Sequence, residues 1–234
     1  MLFGKLFTLV CATVLSYLAI SVEAKHKNRN RGWRKLVHHK CKGDDTAVLA
    51  VGGELNKALI RTVHRALKRH IHVTIAISGR DLKAPYPKKH KKRNILFVKK
   101  VAPKVTFVAL PWSPKHPVHR MKKQKALKMY KKSTKAIEKV IGTRPNFIHV
   151  EPKALIKRVV KYFNHKGFHI MGNTVKEATE KVLNKNSFIA LQKANIKSFA
   201  KLISRTKKSA FDIVNLKTCT GKSPYHGGLL ERPE

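Results

Sequence analysis

Acid is what this chain has least of. Only 12 Asp and Glu stand among its 234 residues, against 52 Lys and Arg, and the formal net charge is +40. A surface so short of carboxylate seeks a polyanion: nucleic acid, an anionic membrane surface, or a sulfated or acidic glycan. Aromatics are also scarce at 7%, and the sequence shows no basic-aromatic stacking motif of the kind that nucleic-acid binders use. Long hydrophobic runs are absent after the first, at residues 6–22. What is present is enough apolar material for a core, 42% of the chain, which excludes wholesale disorder in spite of the charge. The length suits one sizeable domain or two small ones.

The single apolar run follows a short basic start at Lys5 and ends in a small-residue site, Val22-Glu23-Ala24, before polar sequence begins at Lys25. Residues 1–24 therefore read as a cleaved secretory signal peptide. The alternative is a retained anchor helix, for which the run is about the shortest that spans a bilayer. No transmembrane segment is expected after cleavage. Removing residues 1–24 takes away Lys5 and Glu23 together, so the net charge stays at +40 and belongs to the exported protein. Of the three cysteines, Cys11 leaves with the signal, while Cys41 and Cys219 enter an oxidising route. One disulfide joining the start of the domain to its end is expected, contributing about 4–5 kcal/mol in the chain-entropy account. Two free buried thiols are the alternative. A zinc site is disfavoured because neither cysteine has a second one at metal spacing.

From residue 46 the chain alternates between short apolar runs and longer stretches of helical spacing. Residues 46–51 read as a strand, and 54–69 as a helix with Leu55, Ala58, Leu59, Val63, Ala66 and Leu67 on one face. A second strand at 72–77 ends at Ser78-Gly79 and leads into a basic loop; a third at 105–110 is stopped by Pro111. A long helix at 117–141 turns Met121, Leu127, Tyr130, Ile137 and Val140 inward and stops at Gly142. The alternation continues with strands at 146–150, 167–171, 187–191 and 210–215 and helices at 153–165, 174–183 and 195–207. Seven strands alternating with helices predict a parallel α/β sheet, doubly wound or closed as a barrel. One domain is expected at 43–219, between a basic arm at 25–42, too polar to fold alone, and a short C-terminal tail at 220–234.

Several local strings sharpen this. Cys41 precedes a first strand ending Ala47-Val48-Leu49-Ala50-Val51-Gly52-Gly53-Glu54, and the second reads Val73-Thr74-Ile75-Ala76-Ile77-Ser78-Gly79. The long helix closes in Ile141-Gly142-Thr143-Arg144-Pro145, Lys166-Gly167-Phe168 opens a late strand, and the end runs through Asp212-Ile213-Val214 to Cys219-Thr220-Gly221. In this order, over about residues 41 to 221, the strings resemble those of the polysaccharide deacetylases, the chitin and peptidoglycan deacetylase type of carbohydrate esterase. The resemblance implies a distorted (β/α) barrel of about seven parallel strands. Its end-to-end disulfide agrees with pairing Cys41 to Cys219.

The chemistry implied by that resemblance meets substitutions. Deacetylation in the family needs a carboxylate base and a divalent metal held by Asp-His-His, which together generate the attacking hydroxide. Where the base Asp and the metal Asp would stand, this chain has Gly52 and Gly53. The family's His-Thr-Trp-Ser-His falls on Leu110-Pro111-Trp112-Ser113-Pro114, its Arg-Pro-Pro-Tyr-Gly on His149-Val150-Glu151-Pro152-Lys153, and its Leu-x-His-Asp on Leu191-Gln192-Lys193. Glycine can neither bind a metal nor carry a proton. The expectation is a pseudoenzyme with no cofactor. The alternative is an active metal-dependent deacetylase whose displaced ligands come from His116, His119, His149, Glu151 and Glu54.

Charge then becomes the best guide to function. Between Asp81 and Glu138 there are eighteen Lys/Arg and no acid. One cluster, Lys88, Lys89, Lys91, Lys92 and Arg93, reads as the loop after the second strand; another, Lys122, Lys123, Lys125 and Lys128, opens the long helix. Both fit the X-B-B-X-B-X pattern (B basic) associated with heparin-type glycosaminoglycans, where closely spaced cations meet regular sulfates and release counterions. A merely solvated basic face is the alternative. A surface selected for solubility alone would intersperse acids. The expected protein is secreted and non-enzymatic, residing in a cell wall or spore wall. It would bind sulfated glycosaminoglycan or another extracellular polyanion, with chitin and other wall proteins as further partners, in wall assembly or host-cell adhesion. Nucleic acid fits the charge but not the export.

Overall fold

A computed structural model describes residues 32–38, 41–42, 46–83, 88–112, 118–150, 152–172, 188–191 and 212–226. The signal peptide expected at 1–24 and the helices expected at 174–183 and 195–207 lie outside the described residues.

The strands are β1 (Val37–His38), β2 (Thr46–Gly53), β3 (Val73–Ser78), β4 (Val105–Leu110), β5 (Phe147–His149), β6 (His169–Met171), β7 (Phe188–Leu191) and β8 (Asp212–Ile213). Seven of them form one parallel sheet in the order β1-β6-β5-β4-β3-β2-β7, while β8 pairs with the first residues of β2. The α-helices are α1 (Lys57–Leu67), α2 (Lys88–Val101), α3 (Lys123–Ile141), α4 (Lys157–His165) and the short α5 (Leu216–Thr220). The parallel α/β architecture predicted from the alternating pattern is the one observed.

Strand alternation sorts the core into two layers. One set of side chains, Val48, Ala50, Ala76, Val108, Phe147 and Met171, packs into an inner cluster with Leu216 and the Cys41–Cys219 disulfide. The other set, including Leu49, Val51, Ile75, Ile77, Phe107 and Ile148, meets the apolar faces of the helices. Each helix has a local cause. α1 is capped by Asn56, whose side chain accepts the Leu59 N–H at 2.9 Å, and it buries Leu59, Thr62, Val63 and Ala66 on one face. α3 ends where Gly142 takes a left-handed conformation (φ 83°) and returns its N–H to Glu138.

The structure departs from the sequence reading in three places. The basic stretch at 88–93, expected as a loop, is the first half of α2. Its helical ridge, Asn94, Phe97, Val98 and Val101, is buried and begins only after six polar residues. The arm at 25–42 is not merely an extension: Val37 is buried and β1 hydrogen-bonds along β6. The C-terminal boundary extends past Cys219, because Tyr225 is buried and its hydroxyl accepts the Phe107 N–H at 2.9 Å, while Asn146 N–H donates to Pro224 at 2.8 Å. Burial raises the Tyr225 phenol to a pKa of about 12, which keeps it protonated as it fills the base of the sheet.

Candidate functional site

In a chain of parallel strands linked by helices, every helix runs back against its strand, so the helix N-termini collect at the C-terminal ends of the strands. This mouth is where the sequence places the residues in question.

β2 reaches the mouth as Gly52-Gly53. Gly52 lies beside Ala76 in register, and a Cβ there would stand 3.0 Å from the Ala76 Cβ and 3.3 Å from its carbonyl oxygen. Gly53 has φ 132°, a backbone region that L side chains rarely adopt. At Gly52 a side chain would be crowded by Ala76, at Gly53 the backbone conformation disfavours one, and neither residue offers an acid. On β3, the Ser78 hydroxyl reaches the carbonyls of Pro111 (3.0 Å) and Trp112 (3.1 Å) and fixes the segment leaving β4. Lys132 stacks its ammonium 4.4 Å from the centre of the Trp112 ring.

His149 ends β5 and is buried; its carbonyl accepts the Tyr130 hydroxyl at 2.7 Å. Burial alone pulls its imidazole down to a pKa of about 4, so it is neutral at pH 7. His119 sits in a 3₁₀ turn (Val118–Arg120), while His116 and Glu151 lie outside the described residues. Among the described residues no three His, Cys, Asp or Glu side chains come together to hold a metal ion.

The acid that sequence reading passed over is Asp81. Its carboxylate accepts the Leu55 N–H at 3.0 Å, and its carbonyl accepts the Asn94 side-chain amide at 3.0 Å. It thus ties the start of α1 to α2. Burial first of all, and the nearby Glu54 to a lesser degree, raise its carboxyl to a pKa of about 6, against the lowering effect of its hydrogen bond to Leu55.

Cations stand at the helix starts around this mouth. No helix from α1 to α4 has an acid in its first turn. Those positions hold Lys57 in α1, Lys88, Lys89 and Lys91 in α2, Lys123 and Lys125 in α3, and Lys157 and Arg158 in α4, with Lys122 as the α3 N-cap residue. The four helices carry three, seven, seven and three Lys/Arg residues and together one acid, Glu138, which pairs with Arg144 at 2.8 Å. Lys122, Lys123, Lys125 and Lys128 are exposed, as is Lys92; Arg93 is half-buried and donates to the Leu55 carbonyl at 3.3 Å. The N-terminus of a helix carries a positive partial charge, so each cation there works against the macrodipole, and an anion would satisfy both. The two predicted clusters are thus brought to neighbouring helix starts on one rim.

No protein-family model and no curated protein matches the chain. Solved structures do. The chain is similar to the Bc1960 peptidoglycan N-acetylglucosamine deacetylase, at 16% identity over 83% of this chain and 98% of that one, with a TM-score of 0.67. It is similar to the chitin deacetylase of the fungal pathogen Colletotrichum lindemuthianum, at 12% identity over 80% and 93% of the two chains, with a TM-score of 0.65. It is also similar to BA3943 of Bacillus anthracis, a pseudoenzyme of carbohydrate esterase family 4, at 14% identity over 75% and 65%, with a TM-score of 0.58. The chain has the fold of the polysaccharide deacetylases.

Proposed function

We propose that this protein, on the fold of the family 4 carbohydrate esterases, is a secreted, non-enzymatic binder of sulfated glycosaminoglycan, laid across the mouth of the barrel. One observation carries the reading. The strand end where the resemblance puts the base and metal carboxylates is Gly52-Gly53, and the surrounding helix starts hold lysines and arginines in place of acids. Cations against a helix dipole cost stability unless an anion joins them, and several on one rim match a chain of regularly spaced sulfates better than a single charge. The Cys41–Cys219 disulfide supports an exported protein. Among the described residues no helix is long and apolar enough to cross a membrane. Wall residence, chitin as a further ligand and adhesion to a host surface belong to the same reading.

The test is retention on immobilised heparin under a salt gradient. Binding through many cations releases condensed counterions, so affinity falls steeply with salt. The wild type should elute well above physiological ionic strength, and a variant with Lys88, Lys89, Lys91 and Lys92 changed to Gln should elute markedly earlier. Arg93 is left in place because it also donates to the Leu55 carbonyl. Elution of the wild type below physiological salt would sink the reading, and release of acetate from acetylated chitooligosaccharide would reinstate the enzyme.

A further inference from the structure

From the first turn of α1 at Lys57, the outer faces of α1 and α2 line an open groove of about 310 Å³. α1 contributes Lys57, Ile60, Arg61 and His64, and α2 contributes Arg93, Leu96, Phe97 and Lys100. Both sets have the spacing i, i+3, i+4, i+7, so two ridges line the groove. At 1.5 Å per residue the seven-residue step makes it about 10 Å long, or two helical turns. The floor is apolar. Phe97 packs edge-on against His64 with ring centres 5.5 Å apart, and Leu96 stands 58% exposed, the one large hydrophobic side chain so exposed among the described residues. The rim is cationic, with Lys57, Arg61, Arg93 and Lys100 around it and no acid on either helix.

We propose that this groove binds an acidic amphipathic helix of a partner protein, taking two adjacent aliphatic side chains flanked by a carboxylate about one turn to either side. A concave seam between two helices is the shape that accepts a third helix by ridge-into-groove packing. The four rim cations call for carboxylates, and the apolar floor calls for side chains that a sulfated glycan lacks. A bilayer surface is flat and would leave the concave floor unfilled. The groove shares Lys57 and Arg93 with the glycan reading, and what separates the two is the central contact, Leu96, which lies in the middle of α2 rather than in its first turn.

The experiment uses the full chain at about 0.15 M salt, where exposed charges are screened beyond roughly 8 Å. The probe is a labelled helical peptide containing Glu-x-x-Leu-Leu-x-x-Glu, beside a control with Ser-Ser in place of Leu-Leu and the same charge. Fluorescence anisotropy should show the leucine peptide binding at least about tenfold tighter, the effect of burying two aliphatic side chains. Leu96→Ser should weaken the leucine peptide about fivefold or more. Its thermal midpoint and its elution from heparin should remain those of the wild type. Equal affinity for the two peptides, or an unchanged affinity in Leu96→Ser, would overturn the proposal by showing that any polyanion suffices. If Leu96→Ser instead abolishes binding to phosphatidylserine vesicles while the two peptides bind alike, the groove reads a lipid surface and the helix proposal falls.

Discussion

Burial shifts Asp81 and His149 each toward its neutral form, with opposite consequences for stability. Asp81 rises from an ordinary 3.8 to about 6, so the folded state holds its proton more tightly than the unfolded chain. Its contribution therefore falls as pH climbs from about 4 to 6. His149 drops from 6.5 to about 4, so the unfolded chain holds the proton more tightly, and stability is lost as pH falls through that interval. Each is worth about 2–3 kcal/mol, and the two slopes oppose each other. In Asp81→Asn only the histidine slope survives. Urea unfolding between pH 6.5 and 4 should show the variant losing of order 2–3 kcal/mol more than the wild type on acidification. Parallel curves would mean that Asp81 titrates as an ordinary carboxylate. The sequence marked His149 only as a candidate metal ligand and did not mark Asp81, because the Asp81 partner, the Leu55 N–H, lies 26 residues away and burial is a tertiary fact. Gly52 and Gly53 were legible as substitutions. The structure adds that Ala76 would crowd a side chain at Gly52 and that the backbone conformation of Gly53 disfavours one.

α2 shows what pattern reading can and cannot extract from an element. The strands were legible because short β-branched runs bounded by Gly or Pro have few alternatives, and α1 and α3 because their apolar ridges run from end to end. α2 was hidden because its first six residues, Lys88 to Arg93, are all polar, and the ridge that buries Asn94, Phe97, Val98 and Val101 starts only behind them. The same arrangement leaves the helix start electrostatically strained, since several like charges crowd the positive end of a dipole. Each is worth about 0.3–1 kcal/mol at low ionic strength. The variant with Lys88, Lys89, Lys91 and Lys92 changed to Gln should therefore melt higher than the wild type in low salt. A heparin oligosaccharide should raise the wild-type midpoint and move the variant much less. A variant that melts lower, or gains as much from heparin as the wild type, would show that these lysines are ordinary solvated charges.

At the scale of the whole molecule the question is how a chain of +40 stays closed, since net charge of this size repels itself in the compact state. The two ends of the domain were drawn too tightly from the sequence, because β1 and Tyr225 look like parts of polar or glycine-rich tails until their partners on β6 and β4 are seen. Both ends are anchored by packing, and covalently by Cys41 and Cys219, 178 residues apart, with the Lys42 N–H donating to the Cys219 carbonyl at 2.8 Å. A link over so long a loop acts mainly on the unfolded chain, whose freedom it removes, and in the entropic account is worth about 4–5 kcal/mol. Repulsion among the lysines adds a second, screenable cost that the link does not touch. Replacing both cysteines by alanine should therefore lower stability by about 4–5 kcal/mol in urea, a denaturant that leaves ionic strength unchanged. Added salt should raise the midpoints of both proteins without closing the gap between them. A loss below about 1 kcal/mol, or a gap that vanishes as salt is added, would show that the disulfide merely restrains charge repulsion and that β1 and Tyr225 alone hold the ends together.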